Sequence, residues 1–196
     1  QHYFPPPEYY RYREDGFPTR SGKVELYSSV LEELGYSPLP VYVGPAENEI
    51  DNPEVAKEFP LILTTGGGFM PFHHSEAFNI KELRYLRHEP YMDINPRTAK
   101  SLGIEADDWC WIETRRGRIR QRANLTEGIH ENVIFTQRGW WYPERDTLGD
   151  DPFGVLESNT NVLTATSEDM CDPISGTWAC RGLLCRVYKD AEVSSK

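Results

Sequence analysis

Apolar and polar positions alternate most strictly in "WCWIETRRGRIRQRANL", Trp109–Leu125, on either side of Arg116-Gly117. Period two is the mark of a half-buried strand, and a glycine between two such runs predicts a β-hairpin. Alternation turns either Trp109 and Trp111 or their neighbours inward, with Trp111 the expected core residue. "PLILTT" (60–65), "ENVIFTQ" (131–137) and "GLLCRVY" (182–188) are short apolar runs beside turn residues and predict three further strands. "YMDINPRTAKSLGI" (91–104) predicts a strand and then a helix, with Pro96 in the first turn and Gly103 as its stop. In "SEAFNIKELRYL" (75–86), Ser75 as cap and Phe78, Leu83 and Leu86 as apolar markers predict another helix. Ahead of Phe59 the pattern thins. "KVELY" (23–27) predicts a short strand that leads into a helix near Ser28–Leu34, stopped by Gly35, and residues 36–60 hold five prolines among many acids, as a linker does.

Many short strands interrupted by short helices predict a mainly β fold with flanking helices, closed into a barrel that removes its own edges. The expected division is an extended N-terminal arm and linker with a short helix over 1–58, and the barrel over 59–196. Residues 1–22 read as an arm without a packed environment of its own.

Charge and cysteine content narrow the function classes. Asp and Glu number 31 against 21 Lys and Arg, a net charge of −10, which argues against a nucleic-acid partner. No apolar run is long enough for a membrane span, and the N-terminus lacks the layout of a signal peptide. The opening, with no initiator Met and three consecutive prolines, is what a domain cut from a longer polypeptide would give. Cys110, Cys171, Cys180 and Cys185 lack the spacings of a zinc or iron–sulfur site, so no metal ligand is assigned.

Three segments carry candidate chemistry. Gly66-Gly67-Gly68 after an apolar strand lets backbone N–H groups approach a phosphate or a flat ring, yet fits neither the dinucleotide fingerprint nor the Walker motif. "FMPFHHSEAF" sets His73, His74 and Ser75 just past that turn, as donors for a polar ligand reinforced by a helix N-terminus. "RGWWYPE" and "ESNTNVLTATSEDMCDPISG" supply the indoles of Trp140 and Trp141, the amides of Asn159 and Asn161, the Thr164 hydroxyl and the Asp172 carboxylate, which can read the edge of a purine or pterin. The bland alternatives are a flexible turn, a capping serine and packed tryptophans.

Taken in order, "SGKVELYS", "LTTGG…FHHSE", "DINPRTAKSLGI", "RGWWYPE", "NTNVLT" and "DPISG…RGLLCRV" resemble the carboxy-terminal dinucleotide-binding domain of the molybdopterin oxidoreductases, the dimethyl sulfoxide reductase family. The similarity is nearest the branch of acetylene hydratase and the polysulfide, thiosulfate and arsenate reductases. The resemblance implies a six-stranded double-psi β-barrel and a bis(molybdopterin guanine dinucleotide) cofactor with molybdenum or tungsten. It further implies that the domain closes over pterin and guanosine without supplying the protein ligand to the metal, so no residue here is assigned as catalytic. Its partners would be the other domains of one catalytic chain, and an iron–sulfur electron-transfer subunit. Carried onto this sequence, the cofactor contacts are Thr65, Gly66, Gly67, Gly68, Phe72, His74 and Ser75 in the first loop, and Trp140 and Trp141 in the second. Asn161, Thr164, Asp172 and Arg181 complete the set. Many members place an arginine in the glycine turn, where this chain has only glycine. Arg115, Arg116, Arg118, Arg120 and Arg122 are expected on solvent-facing or interdomain surface. Two other readings stand beside this one: a double-psi barrel that mediates protein interactions without cofactor, and a hydrolase using His73 or His74, for which no oriented nucleophile is apparent.

Overall fold

The computed structural model describes residues 4, 6–145 and 147–191. The chain divides into two compact units, Gln1–Val43 and Gly44–Lys196. In the first, helix α1 (Ser29–Glu33) is capped by Ser28, whose hydroxyl accepts from Leu31 N, and Gly35 ends it with φ +83°. "KVELY" is not a strand. No strand exists among the described residues of this unit, so the segment has no ladder to join, and Val24, Leu26 and Tyr27 are exposed.

The second unit begins ahead of Phe59, and its 44–58 stretch includes a short helix, α2 (Pro53–Glu58), with proline in its first turn. Six strands follow: β1 (Leu61–Gly67), β2 (Tyr91–Ile94), β3 (Trp109–Glu113), β4 (Arg118–Leu125), β5 (Val133–Gln137) and β6 (Arg181–Lys189). They close into a six-stranded barrel in the order β1-β5-β2-β4-β3-β6. The β1/β5 and β2/β4 pairs are parallel and the other four antiparallel. The hairpin expected at Arg116-Gly117 is present, with Thr114 N donating to Gly117 O at 2.9 Å. The helix expected after β2 is α4 (Pro96–Ser101), capped by Asn95 and followed by Gly103 at φ +68°.

Burial alternates along β1–β5 and fills the interior with Leu63, Met92, Ile94, Cys110, Ile112, Ile119, Ile134, Leu183 and Cys185. Trp111 is therefore a correction: the residues facing inward on β3 are Cys110 and Ile112, and both tryptophans face out. The choice follows from size and partners. Arg118 lies 4.4 Å from the Trp111 ring centre, and Arg120 and Arg122 lie 5.0 and 4.9 Å from that of Trp109, so the indoles stack with cations on the outer face. The arginines of β3–β4 do lie on the outside, but most are engaged: Arg116 with Glu47 at 2.5 Å, and Arg120 with Glu157 at 2.7 Å and Asp190 at 3.1 Å.

A second correction concerns Ser75. Only Lys81–Arg84 forms a helix, α3, and its N-cap is Ile80. His74 (φ +54°) and Ala77 (φ +69°) take left-handed conformations, which an α-helix cannot contain, so Ser75 lies in a turn and no helix N-terminus reinforces the donors there. The apolar markers Phe78 and Leu83 instead join Phe72, Trp140 and Tyr142 in a satellite aromatic cluster outside the barrel.

Candidate functional site: one rim of the barrel

Strand direction decides which chain ends meet. Because β1 and β5 run parallel, with Gly67 opposite Gln137, their C-terminal ends share a rim. Antiparallel β6 pairs Arg181 with Thr64 and so starts at the same rim. The loops leaving β1 and β5 and entering β6 are therefore neighbours although more than a hundred residues separate Thr65 from Arg181.

Gly66 has φ +101°, and a Cβ there would come within 3.8 Å of the Arg181 guanidinium, which places that cation over the turn. Thr65 is buried, and its hydroxyl donates to Cys180 O at 2.6 Å, pinning β1 to the approach of β6. Gly67 and Gly68 line a cleft with Phe69, Arg87, Tyr91, Asp93 and Gln137.

A second cleft, about 190 Å³, is lined by His74, Ser75, Arg138, Gly139, Asn159, Thr160 and Asn161. It joins three distant segments. Gln137 and Arg138 are consecutive, so the end of β5 contributes to both clefts, and Arg138 N donates to Gly67 O at 2.9 Å. Gly139 has φ +69°, and a Cβ on it would meet Ser75 Oγ at 2.6 Å, so the two loops approach this closely only with glycine. Trp141 reinforces the approach, its indole N–H donating to Ser75 O at 2.7 Å.

The Asn159–Asn161 wall is fixed from beneath. Helix α5 (Val155–Ser158) and a 3-10 turn (Thr160–Leu163) lie on β4. Gln121, fully buried, donates to Gln137 O at 2.8 Å and Ser158 O at 3.2 Å and accepts from Gln137 N at 3.2 Å. Thr114 Oγ1 donates to Leu163 O at 3.0 Å. Glu157 holds Arg120 and Arg145; burial alone would push its carboxyl up, but hydrogen bonds from the two guanidinium groups hold it below the usual carboxylate range. Asn159 Oδ1 then accepts from Asn161 N at 3.0 Å and shapes the turn that presents both residues.

The sequence-derived residues thus separate by environment. His74, Ser75 and Asn161 line one cleft and Gly67 and Gly68 the other, with Gly66 and Arg181 at the shared rim. Phe72 and Trp140 are buried in the satellite cluster, their rings 6.2 Å apart, beneath the loops rather than on the cleft walls. Trp141 is held between Ser75 O and the Phe153 ring, 5.3 Å from its own. Thr164 donates to Asn161 O at 3.3 Å. Asp172 is exposed, its Oδ1 accepting from Ser175 N at 2.7 Å, Ser175 Oγ at 2.9 Å and Ile174 N at 3.1 Å; hydrogen bonds from Ser175, then Ile174, hold its pKa down. Neither Thr164 nor Asp172 lines either cleft. Sequence reasoning passed over Arg138, Thr160 and Arg87. Arg138 had a readable signal, since it directly precedes the Gly139-Trp140-Trp141 step.

No described residues form a group of three or more His, Cys, Asp or Glu able to hold a metal ion. Burial pushes the Cys110 thiol up to about 12 and the Cys185 thiol higher still, so neither is a ready thiolate. No helix among the described residues is long and apolar enough to cross a membrane.

The glycine turn, the histidine–serine loop and the asparagine turn thus bring polar groups and open backbone together at one end of the barrel. Residues 61–183 match the molydopterin dinucleotide binding domain, and the chain belongs to that family. It is 36% identical over 189 residues to acetylene hydratase of Syntrophotalea acetylenica, covering 93% of this chain and 25% of that protein. It is 37% identical over 180 residues to dopamine dehydroxylase of Eggerthella lenta, covering 89% and 17%. The solved structure of acetylene hydratase from Pelobacter acetylenicus is similar at a TM-score of 0.85 and 36% identity, over 94% of this chain and 26% of that one. The chain thus spans about a quarter or less of these relatives. Nothing in these likenesses supports a cofactor-free interaction barrel.

Proposed function

We propose that this chain is the part of a molybdenum- or tungsten-dependent enzyme that closes over a bis(molybdopterin guanine dinucleotide) cofactor. The observation that carries the reading is the cleft in which His74, Ser75, Arg138, Asn159, Thr160 and Asn161 converge from three segments. Its donor set fits such a group. Asparagine amides offer paired donor and acceptor edges to a guanine or pterin, hydroxyls and imidazole bond ribose or pterin oxygens, and a guanidinium suits phosphate. Gly139 keeps the wall open where a side chain would strike Ser75.

When bound, the cofactor supplies the metal-centred reaction. The residues of this chain bind and orient the organic part, and the protein ligand to the metal and the substrate funnel lie in other domains of the same catalytic chain. An iron–sulfur electron-transfer subunit is a partner consistent with this role. The isolated domain is therefore inactive: dye reduction that scales with this protein alone after metal removal would contradict the assignment. The direct test is nucleotide content. Acid denaturation of the intact enzyme carrying this domain should release guanine nucleotide in proportion to molybdenum or tungsten, and a metal-loaded, active enzyme that releases none would overturn the reading.

A further inference from the structure

Arg87 is not among the family contacts carried over from the sequence, yet its setting is unusual. The guanidinium carbon lies 4.5 Å from the ring centre of Phe69 and 4.5 Å from that of Tyr91, so the cation is sandwiched between two aromatic faces. Each slice is itself held. Phe69 packs on the satellite cluster, 6.0 Å from the Phe72 ring, while Tyr91 begins β2 and its hydroxyl donates to Asp107 at 2.8 Å. Stacking occupies the two faces of a guanidinium and leaves its in-plane N–H edge free to donate. Among the described residues that edge has no acceptor and no ion-pair partner, in a chain where acids outnumber Lys and Arg by 31 to 21.

The cleft that Arg87 lines is floored by Gly67 and Gly68, and nothing stands within 4 Å of where a Gly68 side chain would begin, so a ligand reaches bare backbone. Its volume is about 60 Å³. That is several times the roughly 10–15 Å³ one water needs, the scale of a small oxyanion. Asp93 lines the same cleft and opposes an anion there, but its Oδ1 already accepts from Asn124 at 2.7 Å.

We propose that Arg87 is an anion-binding residue whose stacked guanidinium takes two oxygens of a phosphoryl group above the Gly67-Gly68 turn. That the phosphoryl group belongs to the dinucleotide rests on the function proposed above; the anion site itself does not.

The test uses the intact enzyme stripped of cofactor, titrated calorimetrically with inorganic pyrophosphate and with orthophosphate, alongside the guanine-nucleotide content of the enzyme as purified. Arg87→Met, which keeps an apolar stem between the rings, should weaken pyrophosphate binding by about ten- to a hundredfold. Arg87→Lys, which keeps the charge but loses the planar fork, should fall between, and Asp93→Asn should tighten binding a few fold. A role confined to packing predicts no tightening in Asp93→Asn. Pyrophosphate affinity unchanged in an Arg87→Met variant with wild-type unfolding temperature would overturn the proposal. If purified Arg87→Met enzyme also loses guanine nucleotide, the dinucleotide is the source of the phosphoryl group. If affinity falls while nucleotide content holds, the site serves free phosphate. Wild-type enzyme without guanine nucleotide that still binds pyrophosphate through Arg87 would remove the functional reading and leave the site.

Discussion

The arginines of the β3–β4 face and those of the rim carry the same charge in opposite circumstances. On the outer face Arg116 pairs with Glu47, Arg120 with Glu157 and Asp190, and Arg186 with Glu113, while Arg118 and Arg122 stack on tryptophans. At the rim, Arg87, Arg138 and Arg181 have no carboxylate partner among the described residues, and each adjoins a glycine turn: Gly67-Gly68, Gly139 and Gly66. A paired cation on a pleated surface holds strands and segments together. An unpaired one beside exposed backbone is available to a ligand. Arg118 and Arg122 have no carboxylate partner either, but they donate to the Tyr188 hydroxyl and to Asp107 O, so the two groups differ in whether the guanidinium has an acceptor among the described residues and not in residue type.

The comparison is broken most forcefully from the core. Ile112→Ala should cost about 2–5 kcal/mol, as large-to-small changes in a packed interior do, whereas Trp111→Ala on the outer face should cost well under half of that in the same urea titration. Equal losses would mean that the outer Trp–Arg layer carries the barrel as its interior does. Next comes Glu157→Gln, expected to cost about 1–2 kcal/mol because it leaves Arg145 without its carboxylate. The Glu157 pKa is depressed on folding, so its contribution is present above the unfolded carboxylate range, about 4.3, and is lost as pH falls through the lower folded value. Acid titration of stability should accordingly be shallower in Glu157→Gln than in wild type below about pH 4.5; identical slopes would remove Glu157 from the account. Arg138→Met should show the smallest change in stability, within about 0.5 kcal/mol, and yet lower guanine-nucleotide content in the intact enzyme. A large stability loss with full nucleotide content would move Arg138 into the structural group.

Much of the barrel was legible because the signals are local. β1, β2, β5, β6 and the β3–β4 hairpin follow from short apolar runs or alternation bounded by turn residues, and Pro96 and Gly103 mark α4. The failures share a cause in long-range packing. Period two says that one face of β3 is buried and not which, and the decision came from arginines on the neighbouring strand β4. The spacing of Phe78 and Leu83 suggested a helix face, but the residues are drawn to Trp140 more than fifty positions on, and the turns at His74 and Ala77 serve that docking. At the site, glycines and polar clusters identified the loops. Arg87 was invisible, since its meaning lies in Phe69 and Tyr91 on either side of it.

Strand β6 lies between β1 and β3 and is the last strand among the described residues. On a ribosome, β1 and β3 must therefore wait with open hydrogen-bonding edges until residues near Lys189 emerge, and long-range pairing of this kind is slow and prone to wrong partners. Arg181 arrives only with that strand, so the rim where the loops converge is completed in the closing step of folding. A premature stop before β6 would forfeit both the Arg181 guanidinium and the seam that keeps the sheet from pairing with another chain.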